Sequence, residues 1–391
     1  MVKIEKYDDL GQGIAKINNK ICFVKRGIVG EEVDINIIKE NKNYCNGIIK
    51  EIIKKGNERI EPICPYYDVC GGCDFLHIRE SEEKRFKINR CINYFNKIDN
   101  FYETEDNYRN KITLHFKDNK LGFYKEKSHD IIDINNCFLV NNKMNEVIKL
   151  LKNYLNDKDN GNILIRCNNK LKIIVVIDGY YLNIDMLKNN NIIDNLIYNE
   201  KSIKGNNYFI ENINDYKFKV NYKSFFQVNR KGLKHIFNIL KEFFKDKNID
   251  NVLDLYSGTS VLGILCSKYV KKVISVEINK NATDDAKDNL KYNSINNLEI
   301  INGKVEDYIE TFKNIDLVII DPARSGLDKK TINYLNKIKS KYIIYISCNI
   351  HSLKRDLELL NDYDIKNIDI VDMFKRTNKV ETIIILERTN K

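Results

Sequence analysis

The sequence lacks the features that would mark a secreted or membrane-spanning protein. No apolar stretch approaches the length needed to span a bilayer. The first residues, MVKIEKYDDL, are charged where a signal peptide would carry an apolar core. Ten cysteines in 391 residues are too few for a disulfide scaffold. We therefore expect a cytoplasmic protein with no membrane partner, in which clustered cysteines indicate a metal site or catalysis.

Two common nucleotide-binding motifs are also absent, since the chain has no GxGxxG and no phosphate-binding lysine motif. A glycine-bearing turn, DLYSGTSVLG, nevertheless follows an apolar run, and Glu277 stands nineteen positions after Gly258. An acidic residue at the end of the next strand suits hydrogen bonds from two ribose hydroxyls. An adenosine ligand without phosphates, such as S-adenosylmethionine, therefore fits better than NAD or ATP.

The pattern of the chain changes near residue 223, where strand-like and helix-like segments begin to alternate. This alternation predicts a Rossmann-like α/β domain over residues 223–391. The predicted strands are 252–256, 273–277, 298–301, 316–321, 342–347 and 380–386, and the predicted helices are 230–244, 282–292, 329–338 and 352–360.

Two further regions precede this domain. Residues 1–57 carry short β-branched runs between glycines, which predicts a small OB-type β-barrel that binds RNA. Residues 58–222 are assigned to a mixed α+β central domain. Its segment 108–125 mixes basic with aromatic residues and suits phosphate contacts and base stacking, although a hairpin with ordinary exposed lysines is an equal alternative. The net charge of +10 also points toward a polyanionic partner.

Three cysteines form a close group, Cys64, Cys70 and Cys73, with the spacing C-x5-C-x2-C. Two glycines in this segment let the backbone wrap closely around a bound group. Three thiols this close predict a metal site, and Cys137 is the predicted fourth ligand. Zinc and an iron–sulfur cluster both remain open, because ligand count does not separate them. Unligated structural cysteines are the alternative.

Another cysteine, Cys348, stands where an apolar strand pattern ends and a helical pattern begins. Ligands of open α/β sheets bind at such strand ends, and the start of a helix favours a thiolate. The alternative is a buried cysteine that acts as a small hydrophobic side chain. Asp321 ends another strand, and Glu381 lies near the start of the last one, where a carboxylate could serve as a base.

Taken in order, the motifs of the chain resemble those of S-adenosylmethionine-dependent RNA uracil-5 methyltransferases. They are a TRAM-like GQGIAKINNKICFVKRGIVGEEV, then CPYYDVCGGC, YRNK, GFYKEKSHDIIDINNC, SFFQVN, DLYSGTSVLG, VEINKNA, DPARSGL, SCNIHSLKRDL and DMFKRTNKVETIIILER. The resemblance implies methylation of uridine C5 by a monomer, with 23S ribosomal RNA favoured and the transfer-RNA T-loop as the alternative. It implies Cys348 as the nucleophile, Glu381 as the base, cofactor contacts from Gln227, Tyr256, Glu277 and Asp321, and a [4Fe-4S] cluster on Cys64, Cys70, Cys73 and Cys137.

The chain departs from the family pattern at four positions, Ser257 and Ser260 in the cofactor turn, Ala323 in DPAR and Lys379 before the terminal Glu. Ser260 would need a backbone conformation that glycine adopts more easily. A non-catalytic RNA-binding metal protein with a weakened cofactor turn is therefore a second hypothesis. A radical RNA-modifying enzyme is a third, although such enzymes use C-x3-C-x2-C rather than the spacing found here.

Overall fold

The computed structural model describes residues 1–389. They divide into two compact units. Unit 1 comprises Met1–Lys97, Lys125–Lys127 and Phe374–Lys379, and unit 2 comprises the remainder. The predicted three-part division, with boundaries near residues 57 and 222, stays a prediction. No helix within residues 1–389 combines the length and the apolar character that a membrane span requires.

Unit 1 contains a six-stranded sheet followed by one long helix. Its elements are β1 (Val2–Lys3), β2 (Lys6–Tyr7), β3 (Gly13–Ile17), β4 (Lys20–Lys25), β5 (Glu32–Glu40), β6 (Tyr44–Lys54) and α1 (Glu80–Phe95). The strand order is β1-β5-β6-β4-β3-β2. Alternate residues such as Ala15, Cys22 and Val24 are buried together in its core, as expected for strands with one buried face.

The first part of unit 2 holds a seven-stranded sheet and a separate hairpin. Its elements are β7 (Asn100–Tyr102), β8 (Lys111–Lys117), β9 (Lys120–Tyr124), β10 (Ile131–Asp133), α2 (Asn142–Asn153), β11 (Asn160–Cys167), β12 (Ile173–Tyr180), α3 (Ile184–Lys188), β13 (Asn195–Tyr198), β14 (Lys201–Lys204), β15 (Tyr208–Ile213) and β16 (Tyr216–Asn221). The sheet order is β10-β9-β8-β11-β12-β13-β14, and β15 pairs with β16.

The second part of unit 2 is the predicted α/β fold. Its elements are α4 (Arg230–Phe244), β17 (Asn251–Leu255), α5 (Val261–Cys266), β18 (Lys272–Glu277), α6 (Lys280–Tyr292), β19 (Leu298–Asn302), α7 (Val305–Tyr308), β20 (Leu317–Ile320), α8 (Lys329–Ile338), β21 (Tyr342–Ser347), α9 (Ile350–Leu357), β22 (Tyr363–Val371) and β23 (Glu381–Arg388). Each predicted strand and helix is present, with ends that shift by a few residues. All six residues of β21 are buried, which is typical of a central strand.

The strand order of this sheet fixes where a ligand can bind. The order is β19-β18-β17-β20-β21-β23-β22-β7. The strands from β19 to β21 run parallel, and β23 is antiparallel to β21. The chain runs outward from β17 to β18 and β19, and then crosses back to β20 on the other side of β17. In open α/β sheets such a reversal opens a crevice at the carboxyl ends of the strands. β7, which comes from far upstream, closes the opposite edge of the sheet by pairing with β22.

Candidate active site

Five predicted site residues lie at the same edge of the eight-stranded sheet. Tyr256, Asp321 and Cys348 each follow directly on the last residue of a strand, and Glu277 is itself the last residue of β18. The four strands β18, β17, β20 and β21 are consecutive neighbours, and adjacent strands lie about 4.8 Å apart. Glu381, the first residue of the antiparallel β23, joins them from the opposite chain direction.

The pairing of β21 with β23 brings Cys348 and Glu381 together. Ser347 pairs with Thr382 in the antiparallel register, so the next pair in that register is Cys348 and Glu381. Glu381 is 3% exposed, and on its other side it pairs with Val371 of β22. A thiol and a buried carboxyl group therefore face one another across two hydrogen-bonded strands.

The environment of Cys348 raises the pKa of its thiol. Burial is the main cause, and the neighbouring Glu381 carboxylate and Asp321 add to it, while the Arg324 guanidinium lowers the pKa through its charge and a hydrogen bond. Burial and the two carboxylates thus oppose the thiolate that the start of the following helix was expected to favour. The cation that favours the thiolate is Arg324 of the DPAR motif. The sequence alone assigns no role to this residue.

The carboxyl groups at this edge also have raised pKa values. Burial raises the pKa of Asp321 to about 7. Burial and the charge of Asp321 raise the pKa of Glu381 well above its ordinary value. A carboxylate whose pKa is raised is a stronger proton acceptor than an ordinary one. The site therefore pairs a thiol with a carboxyl group suited to general-base catalysis.

Two backbone N–H groups hold the Glu277 carboxylate, one from the glycine-bearing turn after β17 and one from the residues that follow β18. The N–H of Gly258 donates to Oε2 of Glu277 at 2.9 Å, and the N–H of Asn279 donates to Oε1 at 2.7 Å. Each carboxylate oxygen keeps further acceptor capacity, so this side chain can still accept bonds from ribose hydroxyls. Gly258 has φ of 56°, a conformation that glycine adopts without strain.

Ser260, the position where the family favours glycine, is accommodated in this turn. Its backbone is left-handed, with φ of 55°, and its buried Oγ lies 2.7 Å from Oγ of Ser275. Ser275 in turn donates to Oδ2 of Asp254 at 3.0 Å, and burial raises the pKa of Asp254 to about 7. The hydroxyl thus joins a buried hydrogen-bond network that offsets the backbone cost of about 1–2 kcal/mol.

The loop that carries Arg324 is fixed to α9, the helix that follows Cys348. Nδ2 of Asn349 donates to the carbonyl oxygen of Arg324 at 2.8 Å, and Nη2 of Arg355 donates to that of Ser325 at 2.9 Å. Buried Asp356 accepts from the N–H of Leu327 at 2.8 Å. These contacts give the loop a rigidity that does not depend on a second proline at position 323. Asn349 could have been found from the sequence, because Asn directly before a helical pattern is a common N-cap.

Asp356→Ala is expected to lower the free energy of unfolding by about 2–4 kcal/mol. The carboxylate also accepts from the hydroxyl of Tyr345 at 2.6 Å, so its loss leaves two buried donors without an acceptor. Denaturant titration measures the change. Glu358→Ala, at an exposed position on the C-terminal side of α9, should change the stability by less than about 0.5 kcal/mol. Equal stability of the two variants would contradict this account of the loop.

Gln227, the remaining predicted cofactor contact, precedes α4. Its carbonyl oxygen accepts from Nδ2 of Asn110 at 3.0 Å, and the N–H of Asn110 donates to the carbonyl oxygen of Val228 at 3.0 Å. Asn229, the N-cap of α4, also donates to the carbonyl oxygen of Met373 at 3.1 Å. The YRNK motif therefore fixes the backbone that carries Gln227.

The four cysteines of the predicted cluster belong to two different units of the chain. Cys64, Cys70 and Cys73 are half-buried residues of unit 1, and Cys137 is a half-buried residue of unit 2. Burial raises the pKa of the Cys64 thiol. Within residues 1–389 no three His, Cys, Asp or Glu side chains form a group that could hold a metal ion. The four-cysteine assignment stays a prediction.

Comparison with known proteins identifies relatives along the whole chain. The family profile described as tRNA (Uracil-5-)-methyltransferase matches residues 182–389, and a TRAM domain profile matches residues 1–50. An uncharacterized RNA methyltransferase of Clostridium acetobutylicum is 32% identical over 449 residues, covering 100% of this chain and 97% of that protein. Another, from Fusobacterium nucleatum, is 34% identical and covers 99% and 95%.

A solved structure shares the fold. The tRNA (uracil-54, C5)-methyltransferase of Pyrococcus abyssi, in complex with S-adenosyl-L-homocysteine, superposes with a TM-score of 0.82 at 22% identity, covering 99% of this chain and 100% of that one. These matches confirm the predicted methyltransferase fold and the N-terminal TRAM domain. Since the family profile covers more than half of the chain, the chain belongs to the tRNA (uracil-5-)-methyltransferase family and is an RNA uracil-5 methyltransferase.

Proposed function

We propose that the protein transfers a methyl group from S-adenosylmethionine to C5 of a uridine in 23S ribosomal RNA, through a covalent bond between Cys348 and C6 of the uracil. The observation that carries this proposal is the position of Cys348 opposite Glu381, one step beyond the last residue pair of β21 and β23, where Glu381, Asp321 and Arg324 all act on the thiol. Glu277, Tyr256, Gln227 and Asp321 are the residues proposed to bind the cofactor.

The chemistry explains why both a thiol and a base are needed. Uracil C5 is a weak nucleophile, and addition of the Cys348 thiolate to C6 moves electrons onto C5 and O4. S-adenosylmethionine, when bound, would supply an electrophilic methyl group to that activated carbon, with neutral S-adenosylhomocysteine as the leaving group. The methylated C5 then still carries its proton, which the Glu381 carboxylate removes. The electron pair of that C–H bond restores the C5–C6 double bond, and the thiolate leaves.

Two RNA classes are candidates for the substrate. The TRAM domain and the cysteine segment favour large-subunit ribosomal RNA by resemblance. The full-length similarity in fold to a tRNA (uracil-54, C5)-methyltransferase keeps the transfer-RNA T-loop as the alternative.

Mapping of 5-methyluridine by mass spectrometry tests the reaction and the substrate together. Unmodified ribosomal and transfer RNA are incubated with S-adenosylmethionine and either the wild type or the Cys348→Ala variant. Discrete sites of 5-methyluridine in 23S ribosomal RNA, formed by the wild type alone, are the expected result. Sites confined to transfer RNA would select the alternative substrate. Methylation of neither RNA, with no cofactor bound, would favour the non-catalytic RNA-binding protein.

The rate of methylation should rise with pH between about pH 6 and pH 9. Cys348 and Glu381 act in their deprotonated forms, and the pKa of each lies above its ordinary value, so the active forms grow as the pH rises. Single-turnover rates across this range measure the effect. Arg324→Gln should move the rise to higher pH, because the guanidinium lowers the pKa of Cys348. A rate that falls over this range would contradict the assignment.

Three further expectations stay predictions from the sequence. They are a [4Fe-4S] cluster on Cys64, Cys70, Cys73 and Cys137, with zinc as the alternative, a monomeric enzyme and a cytoplasmic location. Iron, sulfide and zinc analysis of protein purified without oxygen addresses the first. No step of the proposed reaction depends on the cluster.

A further inference from the structure

The seven-stranded sheet of unit 2 has one face that is open along β8, β9 and β11. Ile112, Leu114 and Phe116 of β8 are buried on one side. Because side chains alternate along a strand, Thr113, His115 and Lys117 point to the other side, where they are half-buried or exposed. This second face carries aromatic rings.

Three rings form an ordered cluster on this face, which we call the ring platform: His115, Tyr124 and His129. The rings of His115 and Tyr124 are parallel, with centroids 3.7 Å apart and an interplanar angle of 10°. The ring of His129 meets Tyr124 edge-on at 5.1 Å. Tyr124 is 36% exposed although His115 covers one of its faces.

The backbone and a polar neighbour hold His115 in place. Its strand partner on β9 is Gly122, which has no side chain, so the imidazole can lie across the strand toward Tyr124. Nδ1 of His115 donates to Oδ1 of Asn162 on β11 at 2.6 Å. A fixed ring loses less conformational entropy on binding than a mobile one, so the platform is suited to accept a flat ligand.

The charges near the ring platform favour an anionic ligand that carries flat groups. Lys117 and Lys120 pair with each other at the end of the β8–β9 hairpin, and both are exposed. Asp118 lies in the turn between them. An antiparallel sheet with aromatic rings on its open face and lysines at its rim is the arrangement by which several RNA-binding modules stack unpaired bases.

We propose that the ring platform binds an unpaired base of the RNA substrate, stacked against the exposed part of the Tyr124 ring, with the adjoining phosphates near Lys117 and Lys120. The proposal rests on the RNA substrate of the proposed function and adds a second contact on a different sheet from Cys348 and Glu381. Because every base has a flat face, the platform recognises single-stranded character rather than a particular sequence.

Binding of full-length protein to fluorescent single-stranded oligouridine tests the proposal. Tyr124→Ala should weaken binding about tenfold, which corresponds to about 1.4 kcal/mol, and Tyr124→Phe should retain wild-type affinity because it keeps the ring. Tyr292→Ala is the matched control, since Tyr292 is 47% exposed on α6 and lies outside the seven-stranded sheet. Affinity for a duplex RNA should be equal in all variants.

The salt dependence of RNA affinity distinguishes the contribution of base stacking from that of phosphate contacts. Tyr124→Ala should leave the slope of affinity against salt unchanged, whereas Lys117→Ala should reduce it by about one unit. Cofactor binding, measured by calorimetry, should be the same in every variant.

Binding of Tyr124→Ala within twofold of wild type, or an equal loss in Tyr292→Ala, would overturn the proposal. Failure of the wild type to bind oligouridine would also overturn it, because the platform is proposed to accept any unpaired segment. If binding behaves as expected but no 5-methyluridine forms, the proposed function fails and the ring platform stands.

Discussion

Cys348→Ala is expected to reduce methyl transfer by at least about a thousandfold, because the addition to uracil C6 then has no nucleophile. The fold should be unaffected, since Cys348 is only half-buried and follows the last residue of β21. Incorporation of methyl label into RNA measures the loss, and calorimetry should find unchanged cofactor affinity. Residual turnover near that of the wild type would exclude Cys348 as the nucleophile.

A second cysteine variant gives the opposite pattern. Cys91 is fully buried on α1, and Cys91→Ala should lower the free energy of unfolding by about 1 kcal/mol while methylation proceeds at the wild-type rate. Comparison of the two variants distinguishes loss of a reacting group from loss of packing. Cys348→Ala should change the methylation rate alone, and Cys91→Ala should change the stability alone.

Glu381→Gln is expected to trap the enzyme on its RNA. Without a carboxylate, the proton on the methylated C5 is not removed, and the thiolate cannot leave. Turnover should fall by about a hundredfold or more, and a protein–RNA adduct should accumulate and persist on a denaturing gel. Stability should be kept or increased, because glutamine places a neutral group at a position that is 3% exposed.

Two controls define this adduct. Cys348→Ala combined with Glu381→Gln should abolish it, since the bond to RNA is formed by the thiol. Glu387→Gln should form none, because that residue lies near the other end of β23 and makes an ion pair with Lys366. Normal turnover of Glu381→Gln, without any adduct, would assign the base to another group.

The positions of the site residues along the fold could be predicted from the sequence. Local periodicity indicates where strands and helices lie. The positions of Cys348 at the end of β21 and of Glu277 at the end of β18 can therefore be predicted from the sequence. The pKa of Cys348 could not be predicted in the same way. The nearby helix is visible in the sequence, whereas the burial of the thiol and the charge of Glu381, more than thirty residues away, are visible only in the fold.

Other features depend on contacts that no local pattern encodes. From the sequence, Ser260 is a residue that should strain the glycine turn. Only the structure shows that its hydroxyl forms a hydrogen bond with that of Ser275. From the sequence, Ala323 in place of a proline should make its loop less rigid. In the structure, hydrogen bonds from Asn349 and to Asp356 hold the same loop against α9. In both cases the compensating group lies in a different element.

The pairing of β7 with β22 has a consequence for how the chain matures. Asn100 on β7 donates to Asp369 on β22 at 2.8 Å across 269 residues of sequence. During synthesis, β7 therefore cannot pair with β22 until almost the whole chain has emerged from the ribosome. Contacts of such long range fold slowly. The catalytic sheet can be completed only after the ribosome has nearly finished the protein, and a chain terminated before β22 would leave β7 as an unpaired strand.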